Sequence, residues 1–517
     1  MTADTGNWPQ TIPAAARRAA DRWPDAPALI EGKRSWTFAQ VWADALSAAA
    51  AMVASGLQPG DRVGIWAPNT REWILAALGA HCVGAAIIPL NTRFTAPEAT
   101  DILRRAKVRL LFAAGDFLGR DYSQEIDGSG LPSLIETIRI DSEWDAFVAR
   151  GTEDDASVVS AAIDTLSGSD ISDIMFTSGT TGKPKGVLTS HHQAVATFGN
   201  WAQRVDLREG DVYLIVNPFF HTFGYKAGWV AALVQGATIV PQQTFDVPQT
   251  VRLIEEHGVS FIPGPPTIYQ SLLQELAGGK PHDFSTLRVA VTGAAPVAPE
   301  LVRRMRSELG MRGVVNGYGM TECGAISMTC KDDDAETIAN TCGYPLPGLE
   351  VRCIDEEDRE LPPGEAGEFV VRGHSVMQGY LDDPEATAET IDAEGWLHTG
   401  DIGILDERGY LKITDRKKDM FICGGFNVYP AEVERTLAEH PAISACAVIG
   451  IADERLGEVS KAFVVLRKDA ADDVDVASIV AWARKAMANY KVPREVELVE
   501  DLPRNAAGKV VKAELRS

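Results

Sequence analysis

Cysteine is scarce in this chain of 517 residues: Cys82, Cys323, Cys330, Cys342, Cys353, Cys423 and Cys446 make an odd seven without one C-x-x-C pair. That excludes a secreted disulfide framework and a zinc knuckle, and makes a reducing cytoplasm the expected setting. Basic charge is also short, with 49 Lys and Arg against 72 Asp and Glu and a formal net charge of -23. A field of that sign repels nucleic-acid backbones and anionic membranes, so neither is an expected partner. Small anionic ligands stay open, because they need only a local cluster of donors.

Long apolar runs are missing too. The best membrane candidate, Trp73 to Leu90, is interrupted by Gly79, His81 and Gly84 and closed by Pro89. It reads as a buried helix running into a buried strand, with no membrane span expected. The opening residues carry acids and prolines around no apolar core, so no signal or transit peptide is expected. Internal repeats and low-complexity tracts are absent.

What is present describes a large packed protein: 45% hydrophobic and 23% charged residues over a length that calls for two or more cores. From about Trp36 to Val315, apolar runs alternate with helical patterns. RVGIW at 62–66, AAIIP at 85–89, VRLLFA at 108–113, VYLIVN at 212–217, ATIVP at 237–241, VSFIP at 259–263 and LRVAVTG at 287–293 are the predicted strands. Helices are predicted over 95–105, 249–257 and 299–309. Such alternation predicts an α/β architecture with a largely parallel sheet. From about Thr341 to Thr414, short runs punctuated by Gly and Pro predict a small β-rich unit closing the large domain. Beyond the basic knot Arg416-Lys417-Lys418, Pro430 opens a helix, and a strand, strand, helix, strand order predicts a small separate α+β domain.

The strongest local signal is TSGTTGKPKG at 177–186, directly after the apolar ISDIMF. Thr177, Ser178, Gly179, Thr180, Thr181, Gly182 and Lys183 put hydroxyls, glycines and a cation on one turn, which suits a polyphosphate. It is not a Walker A loop, since no Gly-Lys-Ser/Thr follows at the required distance. Gly317-Tyr318-Gly319 begins like a dinucleotide fingerprint but has Glu322 where the third glycine belongs, and the segment 373–377 lacks the last glycine of a nucleophile elbow. A dehydrogenase and an α/β-hydrolase both lose ground. His191-His192 reads as an ordinary helix start, because adjacent helical residues point apart and no carboxylate partner is evident.

Together the motifs resemble one family, the adenylate-forming acyl-CoA ligases, whose superfamily also holds luciferases and peptide-synthetase adenylation domains. TSGTTGKPKG, NGYGMTE (316–322), WLHTGDIG (396–403), DRKKDMFICGGFNVYPAEVE (415–434) and LPRNAAGKV (502–510) occur in the family's order over nearly the whole chain. The resemblance implies an N-terminal ATP- and acyl-binding domain over 1–415, a hinge at 416–419 and a mobile C-terminal domain over 420–517. It also implies ATP, CoA and a small carboxylic acid as substrates, with Mg²⁺ as cofactor. Activating a carboxylate with ATP joins two anions, so cationic stabilisation of the α-phosphate is the chief requirement.

By the same resemblance, Glu322 would hold Mg²⁺ and the Thr321 hydroxyl would meet the phosphate. Tyr318 would stack on adenine near Gly293, Ala294 and Ala295, within a nucleotide site that includes Asn316, Gly317 and Gly319. Asp401 would accept from both ribose hydroxyls, helped by Arg416. Lys509 would bridge the substrate carboxylate and α-phosphate. Lys418 would be the hinge about which the small domain turns to bring Gly424, Gly425 and Phe426 to the pantetheine channel. His221 would sit where the acyl and thiol paths meet.

Within the family, NPFFHTFGYKAG (217–228) and PGPPTIYQSLL (263–273) are similar to actinobacterial ligases that activate a steroid-derived hydrindanedione propanoate. This implies an acyl pocket of Phe219, Phe220, Tyr225 and Ile268, with Tyr225, Lys226 and Tyr269 available to ring carbonyls. The apolar set would equally suit a medium-chain or aryl acid. An acyl-AMP ligase loading a carrier protein and a non-catalytic AMP-binding protein stay open as alternatives, as does a homodimer.

Overall fold

A computed structural model describes residues 7–126, 130–177, 184–279, 281–293, 297–416, 419, 421–423, 426–428, 430–453, 456–467, 470, 474–487, 489–504 and 509–516. The chain divides into two compact units, one of residues 1–351 and 371–397, the other of residues 352–370 and 398–517.

In the first unit the predicted alternation of strand and helix is realised, but over two sheets. The nine-stranded sheet runs Tyr344–Pro345, Gly324–Met328, Gly313–Met320, Val289–Gly293, Phe261–Pro263, Val212–Ile215, Thr238–Pro241, Pro27–Glu31 and Arg34–Thr37. Its pairings from Gly313–Met320 through to Pro27–Glu31 are parallel, and its edges are antiparallel. The seven-stranded sheet runs Gly379–Tyr380, Lys185–Ser190, Ile171–Thr177, Ala86–Pro89, Arg62–Trp66, Leu110–Ala113 and Glu136–Arg139. Parallel strands buried on both faces need continuous apolar runs, which is why these segments were visible in the sequence.

Helices cover the sheets for local reasons. Thr37 caps the helix Phe38–Ala54 through a reciprocal pair with Gln40, and Ser190 caps His191–Arg204 in the same way with Gln193. Ala45, Ala48 and Ala49 are fully buried where Phe38–Ala54 packs against the helix Arg71–Val83. That second helix ends at Gly84 and leads into the strand Ala86–Pro89, as the interrupted run 73–90 predicted. Among the described residues no helix is long and apolar enough to cross a membrane.

The second unit holds most of a four-stranded sheet, Leu349–Ile354, Ala366–Gly373, Leu397–Leu405 and Leu411–Arg416. It also holds a five-stranded sheet, in which Phe426–Val428, Phe421–Cys423, Gly457–Leu466 and Ile443–Asp453 are joined by Glu495–Leu498. The helices Pro430–Ala438 and Val476–Ala486 bury Val433, Leu437, Ile479 and Ala483 in that unit's own core.

Candidate active site

The site is assembled by the carboxyl ends of four neighbouring parallel strands. Gly313–Met320, Val289–Gly293, Phe261–Pro263 and Val212–Ile215 lie side by side, and NGYGMTE, the end of Val289–Gly293, PGPP and NPFFH fall at one edge of the sheet. That edge is where parallel α/β sheets place ligands. Gly293 and Gly317 are register partners. The hairpin bearing Thr321 and Glu322 can close only because Gly319 has no side chain, since a Cβ there would overlap the Gly324 carbonyl oxygen.

The loop after Val212–Ile215 is stapled by a residue the sequence reading passed over. The buried Asn69 amide donates to the carbonyls of Asn217 at 2.9 Å and Gln242 at 3.1 Å, and its oxygen accepts from the Phe219 N–H at 2.7 Å. The Asn217 amide in turn donates to the Pro263 carbonyl at 3.0 Å, tying two of the site loops together. Phe219 is buried edge-on against Trp73, Phe220 is half-buried, and His221 is exposed with its Nδ1 accepting from the Phe223 N–H at 3.3 Å.

Three polar heads offered to ring carbonyls by the sequence reading are engaged inside the protein instead. Tyr269 donates its hydroxyl to the carbonyls of Ile262 and Val291, at 2.9 and 3.0 Å. Tyr225 lies fully buried with its hydroxyl 3.0 Å from His81 Nε2. The Lys226 ammonium lies 2.8 Å from the Asp173 carboxylate and 2.9 Å from the Thr189 hydroxyl. Burial pulls the Lys226 ammonium below its ordinary value, with Asp173 opposing that shift, and burial pushes the Tyr225 and Tyr269 phenols up. Each of the three heads has a polar neighbour inside the protein, as the cost of burying a polar atom alone requires. Ile268 is buried on the helix Pro266–Ala277. His191 starts its helix as expected, its Nδ1 accepting from the Ile12 N–H at 3.4 Å, and burial lowers its pKa to about 3.

The phosphate-loop residues Ser178, Gly179, Thr180, Thr181, Gly182 and Lys183 lie outside the described residues, but their supports do not. The strands Ile171–Thr177 and Lys185–Ser190 form an antiparallel hairpin in which Thr177 faces Lys185. Tyr380 pairs with Val187 beside that hairpin and donates its hydroxyl to Glu322 Oε1 at 3.1 Å, while Lys185 Nζ sits 4.9 Å from the Tyr380 ring centre. Glu322 is held from its backbone as well, its carbonyl accepting from the Met377 N–H at 2.8 Å. Arg105 donates to the Pro184 carbonyl at 2.7 Å and covers the Phe176 ring, bracing the loop's exit. Arg105 and Tyr380 gave no signal in the sequence, because each meets its partner across tens of residues.

Thr321 is half-buried at the hairpin and Tyr318 is buried. The Asn316 side-chain amide donates to the carbonyls of Ile338 and Thr341, at 3.1 and 2.9 Å, and so holds a helix end. Ala294 and Ala295 lie outside the described residues. Among the described residues no group of three or more His, Cys, Asp and Glu could hold a metal by itself. A single carboxylate such as Glu322, were substrate phosphates beside it, would suit Mg²⁺, which keeps waters and takes few protein ligands.

In the second unit, Asp401 is buried and pairs across the ladder with Arg416. The bend before it needs Gly400 at φ +68°, and the Gly400 N–H donates to Glu368 Oε1 at 3.0 Å. Lys418, Gly424 and Gly425 lie outside the described residues, whereas Phe426 pairs with Cys423 in a short hairpin. Lys509 is exposed, and the segment after it is anchored. Val511 N–H donates to the Pro503 carbonyl at 2.8 Å, Lys512 Nζ lies 2.8 Å from Glu434 Oε1, and Arg516 lies 3.4 Å from Asp419.

Comparison with known proteins agrees with this arrangement. The sequence pattern of the AMP-binding enzyme family matches residues 16–381, and that of the AMP-binding enzyme C-terminal domain matches residues 432–509. The chain is 50% identical over 513 residues, 98% of each chain, to a 7a-methyl-1,5-dioxo-octahydroindenyl-propanoyl:CoA ligase of Mycobacterium tuberculosis. It is 47% identical over 523 residues, again 98% of each, to the ligase of the same name from Rhodococcus jostii. Among solved structures, the O-succinylbenzoate coenzyme A synthetase of Bacillus subtilis in complex with ATP and magnesium ion superposes with a TM-score of 0.83 at 29% identity, over 97% of this chain and 99% of that one. With the phosphate-loop hairpin, the Glu322 turn and both family patterns in place, the chain belongs to the AMP-binding, adenylate-forming enzymes and is an AMP-forming acyl-CoA ligase.

Proposed function

We propose that this ligase activates a hydrindanedione propanoate, a bicyclic diketone acid of steroid origin. The acid and ATP give the acyl-adenylate and diphosphate, and CoA then displaces AMP to give the thioester. The observation that carries the substrate reading is the 50% identity, over 98% of both chains, to a ligase named for that acid. An acyl site that took in Phe219, Phe220 and Ile268 would suit a fused ring, while the engaged heads of Lys226 and Tyr269 would leave its carbonyls to other partners.

In this reading the 177–183 loop cradles the ATP phosphates and Thr321 meets the α-phosphate. Glu322, oriented by Tyr380, would hold Mg²⁺, whose charge would offset that of the phosphates. Tyr318 stacks on adenine beside Gly293, Gly317 and Gly319, and Asp401 with Arg416 takes the ribose. Lys509 joins the acid's carboxylate to the α-phosphate during adenylation. The 416–419 segment, with Lys418 at its centre, then acts as the hinge between a 1–415 domain and a 420–517 domain, bringing Gly424, Gly425 and Phe426 to CoA. His221, on the exposed end of its loop, guards the meeting of acid and thiol. The enzyme works in the cytoplasm.

The test is a side-by-side measurement of kcat/KM for the hydrindanedione propanoate, octanoate and benzoate with ATP, Mg²⁺ and CoA. The rigid bicycle loses fewer rotors on binding, each worth about 0.5–1.5 kcal/mol, so a preference of roughly tenfold or more is expected. A preference for octanoate rejects the steroid-fragment substrate and leaves the ligase intact.

A further inference from the structure

The buried ion pair between Lys226 and Asp173 has no part in the chemistry above, yet it sits where two working segments meet. Asp173 lies four residues before Thr177 on one strand of the phosphate-loop hairpin, and Thr189 lies four residues after Lys185 on the other. Asp173 and Thr189 are register partners. Lys226 reaches both, at 2.8 Å and 2.9 Å, so one ammonium closes across the base of the hairpin whose tip is the phosphate loop. Ser172 completes the lock, its hydroxyl lying 2.8 Å from Asp173 Oδ2 and 3.1 Å from the Thr189 carbonyl.

Lys226 belongs to the helical turn Tyr225–Val230, kinked at Gly228, which follows the 217–221 loop through the short turn Thr222–Gly224. The turn is fixed to the floor of that loop by an aromatic stack. Tyr225 and Trp229 have ring centres 5.0 Å apart, and Trp73 packs edge-on against both Trp229 and Phe219. Tyr225 is tied further to His81. Apolar residues would fill such a core at no loss of stability, whereas an ammonium with two strand partners fixes a geometry.

We infer that Lys226, with Asp173 and Thr189, is a positioning group that holds the phosphate-loop hairpin in register with the acyl-binding loop, so that occupation of one site favours the other. The inference rests on the reading that the 177–183 loop binds nucleotide and the 217–221 loop lines the acid site. Single removal of either charge strands its partner in the core, so the informative variants are the neutral pair Lys226→Met with Asp173→Asn, and the isosteric Thr189→Val. The measurement is the affinity of α,β-methylene ATP by calorimetry, with and without saturating hydrindanedione propanoate.

In the wild type the acid is expected to tighten the nucleotide analogue by about fivefold or more, and the analogue to tighten the acid by the same factor. The neutral pair brings that factor to about one while each ligand still binds alone, and Thr189→Val lowers it to roughly twofold. A merely structural pair would leave the factor unchanged, whatever the shift in melting temperature. A factor of one in the wild type, or a wild-type factor retained in either variant, overturns the inference. If the neutral pair does not fold, Thr189→Val decides. Absence of analogue binding to the wild type would instead strike the reading of the site, and the inference with it.

Discussion

Two lysine–carboxylate pairs of similar length do different work in the two units. In the large unit Lys226 meets Asp173 at 2.8 Å with side chains 3% and 0% exposed, whereas in the small unit Lys512 meets Glu434 at 2.8 Å with side chains 16% and 23% exposed. Equal distance does not mean equal consequence. A charge that water cannot reach must keep its partner, so the first pair fixes a geometry. A charge at the margin can be rehydrated, so the second pair fastens the segment behind Lys509 less firmly.

The largest expected effect comes from breaking the buried pair on one side. Lys226→Met alone should cost about 3–5 kcal/mol, because it leaves a carboxylate unpaired in the core. Urea unfolding reads this directly. A loss near 1 kcal/mol would mean that water reaches Asp173 after all and the contrast between the units fails.

Lys509→Ala comes next. It should cut acyl-adenylate formation by about 10²- to 10³-fold, by analogy with removal of a donor aimed at developing charge. Transfer from supplied acyl-adenylate to CoA should fall far less. Following diphosphate release and thioester formation separately checks this, and equal losses in both steps would remove the lysine from adenylation.

Acid sharpens the contrast, because the two units respond with opposite sign. Burial depresses His81 and His191 in the large unit, His191 from the ordinary 6.5 to about 3. Their contribution is complete above pH 6.5 and drains as pH falls below it, by up to about 1.4 kcal/mol per pH unit for each histidine. Glu434 in the small unit is raised by burial, with Lys512 opposing. Its contribution is complete below the ordinary 4.5 and is lost as pH rises through the folded value. Hydrogen exchange followed between pH 7 and 5 should show core amides near His191 losing protection, while the Glu434 contribution does not fall over that range. His191→Gln should shrink the first slope by about half.

The smallest effect belongs to Lys512→Met, about 1 kcal/mol in the small unit, since its pair is partly solvated. A loss as large as that of Lys226→Met would place both pairs in the same class.

These contrasts also separate what could be read along the chain from what could not. RVGIW, VYLIVN and LRVAVTG were legible as strands because a strand covered on both faces must be apolar throughout. Nothing local told the runs at 62–66 and 86–89 that they belong to a different sheet from those at 212–215 and 289–293, since strand partners are chosen by long-range packing. In the site, the order of five motifs identified the chemistry of the family. It did not reveal Asn69, Arg105 or Tyr380, which act on segments 79 to 173 residues away for Arg105 and Asn69 and 58 residues away for Tyr380. Lys226 is the clearest case. A lysine beside an aromatic loop reads as a ligand donor until the fold brings Asp173 and Thr189 against it.

By itself, then, the sequence determined the layered α/β class, the separate C-terminal core and membership among acyl-CoA ligases. All of these rest on local composition and on motif order, which survive without knowledge of contacts. Only the tertiary structure decided which polar heads remain for a substrate and which are spent inside the protein. Burial sets that choice: once water is excluded, Asn316, Tyr269 and Lys226 must satisfy whatever the fold places beside them.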